Sequence, residues 1–224
     1  MNFFGHTVIA SSFHGDPRFL LGSMLPDFAG MVGVRLGAVE NPIVRAGIDM
    51  HHRTDNVFHS SPQFVELMRH AMNELEAAGV SRGPARATAH LGIELLLDGL
   101  LSQDETRVRD YYEALHVVAR MDELNLTQNM QWLRNVATRL QEAPLPHGYA
   151  SPEFVAGRIE YILQSRPRLR LLNADAKHVR ATLRGIQPAL RDLQATWMEY
   201  VQQQVQNAMP EAIVAYSPNR FQEA

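Results

Sequence analysis

The sequence predicts an all-α, single-domain helical bundle that includes residues 1–224. Apolar residues recur at helical spacing through nearly the whole chain, and no succession of short alternating runs indicates a sheet. Two helix-start signals support this interpretation, because Asp16-Pro17 and Ser61-Pro62 each place a capping residue directly before a proline. With 224 residues and 46% hydrophobic content, the chain can bury a substantial core.

The first half of the chain divides into five predicted helices. A short helix carries Phe3, His6, Ala10 and Phe13 on one face, and a second runs from Pro17 to a break at Pro26-Asp27. A third begins near Pro42, a fourth runs from Ser61-Pro62 to Gly79, and Pro84 opens the fifth.

The second half continues the helical pattern. Residues 105–122 and 126–142 are predicted helices, Pro144 to Pro152 is a predicted loop, and helices follow over 152–165 and 174–208. The last helix has a long apolar stripe, which we expect to face the core rather than a partner. Its members are Leu183, Ile186, Leu190, Leu193, Trp197 and Val201.

Charge and composition exclude several classes of function. The net charge of −3 gives no global positive field for nucleic acid or an anionic membrane, and the absence of cysteine excludes disulfides and thiolate chemistry. No apolar run reaches the roughly 18 residues of a membrane span, and the start of the chain lacks the basic region of a secretory signal. We therefore expect a cytoplasmic protein; its oligomeric state is left open.

Two ladders of metal-competent side chains are the most informative motifs. His51, Asp55 and His59 are spaced four apart, as are His90, Glu94 and Asp98, so each set shares a helix face. Face to face, the two ladders would form a mixed cage for manganese, iron, zinc or nickel.

Each ladder also has an alternative interpretation. The first could be a solvated polar face, or its histidines could cap carbonyl groups. The second lies in a helix that is apolar on nearly every other side, so its polar groups should be buried and need either a metal or a tight polar network. A buried network without metal is the main competitor.

Three further residues are candidates for the same site. Asp27 follows a proline among apolar neighbours, although Pro-Asp also makes ordinary turns, and His6 on its apolar face could equally be a hydrogen-bonded core residue. Arg53 could bind a phosphate, with a salt bridge to Asp49 as the alternative.

A basic segment lies further along the chain. A solvated surface is the plain interpretation, and contact with an acidic partner is the alternative. Its residues are Arg158, Arg166, Arg168 and Arg170.

Hydrolysis by metal-activated water is the chemistry that these residues favour. The chain has no glycine-rich phosphate loop and no Gly-x-Ser-x-Gly motif, so nucleotide binding of that kind and serine nucleophiles lack support. A divalent cation would acidify water and stabilise charge on a phosphoryl oxygen, and Asp55 or Glu94 could accept the proton.

At these residues the chain resembles the acyl carrier protein phosphodiesterase family, a divergent branch of the HD-type metal phosphohydrolases. The matching blocks are Met1-Asn2-Phe3 with His6, Gly22 to Phe28, Gly47-Ile48 through Asp55, Ile93 to Ser102, Arg166, and the helix through Trp197 and Tyr200. The resemblance implies an HD-like bundle and a manganese-dependent hydrolase. It would cleave the phosphodiester between 4'-phosphopantetheine and a serine of acyl carrier protein, or a small phosphodiester.

The chain departs from the family pattern within the site itself. Gly99 stands where the family has a histidine after the acid, His52 replaces an arginine, and His59 replaces an acid. His59 and His90 could compensate by moving a ligand by one helical turn. Two rivals remain open: a zinc-dependent phospholipase C or nuclease-like hydrolase, and a non-catalytic helical protein with a buried network or a structural metal.

Overall fold

The computed structural model describes residues 1–119, 131–143 and 146–208, and it confirms the all-α prediction for them. These residues form nine α-helices and no β-strand. The helices are α1 (Phe3–Ser11), α2 (Pro17–Val32), α3 (Pro42–Ser60), α4 (Pro62–Ala77), α5 (Arg82–Leu101), α6 (Glu105–Val117), α7 (Gln131–Glu142), α8 (Pro152–Gln164) and α9 (Ala176–Asn207).

Contacts divide the chain into two compact units. Unit 1 comprises Met1–Val57, Asp104–Ala143 and Glu199–Ala224, and unit 2 comprises Phe58–Gln103 and Pro144–Met198. A single domain over residues 1–224 stays a prediction. No helix of the described residues combines the length and hydropathy that a bilayer crossing requires.

Unit 1 is built around α1, which is buried along nearly its whole length. Phe3 stacks on Tyr111 of α6 with ring centroids 6.0 Å apart, and Phe4 meets the same ring edge-on at 5.5 Å. Phe28 of α2 contacts Phe3 at 5.7 Å. These aromatic contacts hold α1, which carries His6, and α2, which carries Asp27, against α6.

Helix α2 passes through Pro26 instead of ending there, so the predicted break is wrong. Pro26 removes one main-chain donor, but Phe28 and Ala29 beyond it are buried, and that packing keeps the segment helical up to Val32. Gly33 then ends the helix in the left-handed conformation, with φ of 69°. Asp27 therefore projects from a continuous helix.

Helices α2 and α3 cross through two glycines. A Cβ atom added to Gly22 would lie 2.2 Å from the Val44 carbonyl oxygen, and one added to Gly47 would lie 2.1 Å from the Phe19 carbonyl oxygen. Only glycine allows the two backbones to approach this closely. The crossing sets the position of the α3 residues that follow it.

Unit 2 is built around α5, in which every residue from Gly92 to Leu101 is buried. The predicted burial is therefore confirmed for Glu94 and Asp98 but not for His90, whose side chain is 40% exposed. A short 3₁₀ helix, His147–Ala150, lies against it inside the segment predicted as a loop. A Cβ atom at Gly99 would lie 2.1 Å from the Tyr149 carbonyl carbon, so this backbone fills the space that a larger residue would need.

Smaller boundary differences have local causes. The first helix ends at Ser11, so Phe13 lies beyond it, and α5 begins at Arg82, two residues before Pro84, which occupies its first turn. The helix predicted over 105–122 ends at Val117, and α7 begins at Gln131; residues 120–130 of these two predictions lie outside the described residues. The apolar stripe of α9 is buried as predicted except at Leu193, which is half-buried.

Candidate metal centre

The described residues contain two groups of side chains that could hold a metal ion. His6, Asp27 and His51 form one group in unit 1, and His59, His90 and Glu94 form the other in unit 2. In each group the potential ligand atoms all lie within 4.8 Å of one another. We call them the His6 cluster and the Glu94 cluster.

The His6 cluster draws one residue from each of α1, α2 and α3. The Nε2 atom of His6 lies 3.9 Å from an Asp27 oxygen and 3.6 Å from an oxygen of Asp55, which borders the cluster. These distances exceed hydrogen-bond range. They fit two ligands of one ion, because metal–ligand bonds of about 2.1 Å place neighbouring ligands roughly 3–4 Å apart.

His6 itself favours a bound cation. Its side chain is completely buried, and neither ring nitrogen has a hydrogen-bond partner among the described residues. A buried polar atom without a partner costs roughly 1–3 kcal/mol, so such groups are rare in folded proteins unless they bind something. The donor set of two imidazoles and two nearby carboxylates suits manganese, iron, zinc or nickel.

The two histidines of this cluster are uncharged at neutral pH. Burial lowers the pKa of His6 to about 3, although the Asp55 carboxylate opposes the shift. Burial likewise lowers the pKa of His51 to about 4, against a hydrogen bond to Ser23. A neutral imidazole offers a lone pair to a cation, so both rings are in the state that metal binding requires.

A main-chain hydrogen bond orients His51. Its Nδ1 atom lies 2.9 Å from the Ser23 carbonyl oxygen and donates to it, which leaves Nε2 as the free lone pair. The ring stacks on His6 with centroids 3.9 Å apart. Pro26 lacks the main-chain donor that would bond the Gly22 carbonyl, one residue before Ser23.

Asp55 and Arg53 lie beside the cluster on α3. The Asp55 side chain is 38% exposed, and one of its oxygens accepts a hydrogen bond of 2.7 Å from the amino group of Met1. Arg53 is half-buried and donates to the Ala208 carbonyl oxygen at 2.7 Å. The contact that the structure shows for Arg53 is thus to main chain, in place of the alternative salt bridge to Asp49.

The Glu94 cluster is hydrogen-bonded within itself. One oxygen of Glu94 lies 2.9 Å from His59 Nε2 and 3.1 Å from His90 Nε2, and the two rings stack at 4.8 Å. Burial alone would raise the pKa of Glu94, but its hydrogen bonds to His59 and His90 help to hold it well below its usual range. The carboxylate is therefore charged, and both Nε2 atoms donate to it.

The ladder residues thus divide between two clusters instead of forming one cage. His51 joins the His6 cluster, while His59, eight residues later on α3, joins the Glu94 cluster. The part of each residue in metal binding stays a prediction.

Asp98 belongs to neither three-residue group. Its side chain is completely buried, and its negative charge adds to the effect of burial that raises the pKa of Tyr149 to about 12. Tyr149 is also the residue whose backbone fills the space beside Gly99. A histidine at position 99 is therefore incompatible with this packing.

Sequence reasoning missed two contributors to the His6 cluster and its border. They are the Ser23 carbonyl and the Met1 amino group. Both act through main-chain atoms, which leave no residue-type signal. Pro26 inside a helical pattern was the available sign of an irregular α2, because proline weakens the hydrogen-bond ladder around it.

Comparisons with protein-family models, with curated proteins and with solved structures gave no match for this chain. The likeness to the acyl carrier protein phosphodiesterase family therefore rests on the residues quoted above.

Proposed function

We propose that this chain is a phosphodiester hydrolase that depends on a divalent metal held by the His6 cluster, with Asp55 as an additional ligand or proton acceptor. One observation carries the proposal: His6 is buried, uncharged and without a hydrogen bond, yet it faces two carboxylates at 3.6 and 3.9 Å. Structural histidines are normally satisfied by hydrogen bonds. A cation accounts for all of these features together.

The residues around the cluster suit hydrolysis. When bound, a divalent cation lowers the pKa of water and stabilises negative charge on a phosphoryl oxygen. Asp55 is partly exposed and can accept a proton from water, while His6 and His51 remain neutral ligands. The Arg53 guanidinium uses one of its five donors on Ala208, and others are available for a phosphoryl oxygen.

The substrate part of the proposal rests on the resemblance alone. It names the diester between 4'-phosphopantetheine and an acyl carrier protein serine as the bond cleaved, and manganese as the preferred ion. Iron, zinc and nickel also fit the mixed donor set. The backbone beside Gly99 replaces the family histidine, so the substrate pocket should differ from the family's.

Metal content and turnover test the proposal together. Protein purified without an affinity tag is analysed for bound elements, and hydrolysis of bis-p-nitrophenyl phosphate is followed with and without added manganese. We expect near-stoichiometric metal and metal-dependent turnover. His51→Ala should weaken metal binding by more than about 100-fold, since removing even an outer partner of a ligand costs about 10–100-fold.

His70→Ala is the matched control, because His70 is an exposed histidine on α4 outside both clusters. It should change neither metal content nor turnover. Wild-type protein that takes up no metal and hydrolyses nothing would contradict the proposal, as would full metal content in His51→Ala.

A second candidate, a metal-free structural network, is favoured at the Glu94 cluster. There both histidine Nε2 atoms are already hydrogen-bonded to one carboxylate oxygen, so the polar groups stabilise one another without an ion. Glu94→Gln should then lower the free energy of unfolding by about 1–3 kcal/mol and leave metal content and turnover unchanged. A loss of metal or of turnover in a folded Glu94→Gln protein would instead assign Glu94 to the catalytic site.

A further inference from the structure

Positive charge is concentrated in one part of unit 2. Residues 157–184 contain seven of the 21 basic residues of the chain but only two of its 24 acidic residues. The chain as a whole has a net charge of −3, so this segment is opposite in sign to the rest. It includes the end of α8, the connection to α9 and the first turns of α9.

Three of these seven cations contact another group in the described part of the chain, and only one of those groups is an acid. Arg158 lies over the Tyr161 ring, Arg170 donates to the Gln164 carbonyl oxygen, and Arg184 pairs with Glu153. The remaining four are exposed, and no ion pair involves them within the described ranges. They are Arg166, Arg168, Lys177 and Arg180.

An apolar depression lies beside Arg180, one of these cations. Leu172 is 66% exposed, the largest exposed fraction among the large apolar residues that the structure describes. It borders a shallow depression together with Leu171, Val179, Ala156, Glu160 and Arg180. An apolar centre with a charged rim is the usual arrangement of a protein–protein contact. We call these residues, with the four free cations, the cationic surface.

We propose that the cationic surface binds an acidic segment of another protein, which places an apolar side chain against Leu172 and carboxylates against Arg166, Arg168 and Arg180. Arginine suits carboxylates because its planar fork can donate two parallel hydrogen bonds. This binding is independent of the hydrolysis proposed above, since it uses none of the metal-candidate residues.

The carboxylates found beside these cations favour a protein as the binding partner over a lipid surface or nucleic acid. Glu160 lines the depression, and Glu153, on the same helix, pairs with Arg184. Uniformly negative phosphates would be repelled by these carboxylates, whereas a protein can place its own charges in register with them. Bilayer binding by a basic segment also needs several apolar side chains on one face, and Leu172 is the single large exposed one at this depression.

Fluorescence anisotropy at low ionic strength tests the proposal on the full chain. The probe is a labelled peptide in which glutamates flank a leucine, and the competing ligands are phosphatidylserine vesicles and single-stranded DNA. The test variant combines Arg166→Gln, Arg168→Gln and Arg180→Gln, and a second variant is Leu172→Ser. A control variant removes the same charge from exposed positions elsewhere: Arg35→Gln, Arg45→Gln and Arg69→Gln.

We expect the peptide to bind wild-type protein, and the triple test variant to bind it about tenfold more weakly, since each exposed charge pair contributes modestly. Leu172→Ser should weaken binding without changing its salt dependence, and the control should behave as wild type. The proposal is overturned if the peptide does not bind, if the control loses as much affinity, or if only vesicles or DNA depend on the three arginines.

Discussion

Gly47→Ala should separate α2 from α3 and thereby weaken metal binding at a distance. The new Cβ atom would lie 2.1 Å from the Phe19 carbonyl oxygen and 2.8 Å from the Gly22 Cα atom. Ordinary contacts of this kind are about 3.3–3.8 Å, so the helices must move apart by roughly 1 Å. Both clashing atoms belong to main chain, which cannot rotate away as a side chain would.

His51 is one helical turn beyond Gly47 and would lose its orientation. Its 2.9 Å hydrogen bond to the Ser23 carbonyl would lengthen to about 3.9 Å, beyond the limit for such a bond. Overpacking costs about 1–3 kcal/mol and the lost hydrogen bond about 1 kcal/mol, while alanine in a helix returns about 1 kcal/mol. The free energy of unfolding should therefore fall by about 2 kcal/mol, and metal affinity by about 10–100-fold.

Urea unfolding of the metal-free protein and calorimetric titration with manganese measure the two effects. Gly30→Ala is the control, because Gly30 lies on α2 and a Cβ atom there meets nothing within 4 Å. That variant should be at least as stable as wild type, with unchanged affinity. Unchanged stability and affinity in Gly47→Ala would refute the reasoning that the close crossing orients His51.

Three further predictions follow from single contacts. Acidification of the metal-free protein from pH 6.5 toward pH 4 should lower its free energy of unfolding. Burial lowers the pKa of His6 to about 3 and that of His51 to about 4, so the unfolded chain binds more protons than the folded chain in this range. Urea titrations at several pH values check this, and a flat profile would contradict it. Gly99→Ala should lower the free energy of unfolding by about 3 kcal/mol, because the new Cβ atom would overlap the Tyr149 carbonyl carbon. Thermal unfolding measures the loss, and a wild-type midpoint would show that the backbone at Tyr149 can shift to accommodate the Cβ atom. Asp16→Ala should lower the free energy of unfolding by about 1 kcal/mol at neutral pH, because the Asp16 side chain caps α2. The difference from wild type should shrink as the pH falls through the lowered pKa of Asp16. Denaturant unfolding at two pH values measures this, and an equal loss at both would argue against the charged cap.

Helix starts could be predicted well because their causes are local. Asp16 and Ser61 accept hydrogen bonds from the main chain two and three residues on, and each precedes a proline in the first turn. The break at Pro26 could not be judged in the same way. Its outcome depends on whether residues beyond it are buried, and the packing of Phe28 against Phe3 of another helix is absent from the local pattern.

The residues of the candidate site could be predicted from the sequence, but how they group in space could be predicted only in part. Spacing identified His51 and Glu94, because ligands four apart share a helix face. Spacing could not assign partners across helices: it predicts one cage from the two ladders, whereas His51 and His59 belong to different groups of potential ligands. The approach of α1 to α3, which brings His6 to His51, depends on tertiary contacts that no spacing rule contains.

The hydrogen bond between His51 and Ser23 has a consequence for how related sequences should vary. The accepting atom is a carbonyl oxygen, which every amino acid supplies, so position 23 can change its side chain while the ring stays in place. Selection on the orientation of His51 therefore acts on Gly22, Gly47 and Pro26, which set the course of the backbone. Among homologues, these three positions should be more constrained than residue 23 itself.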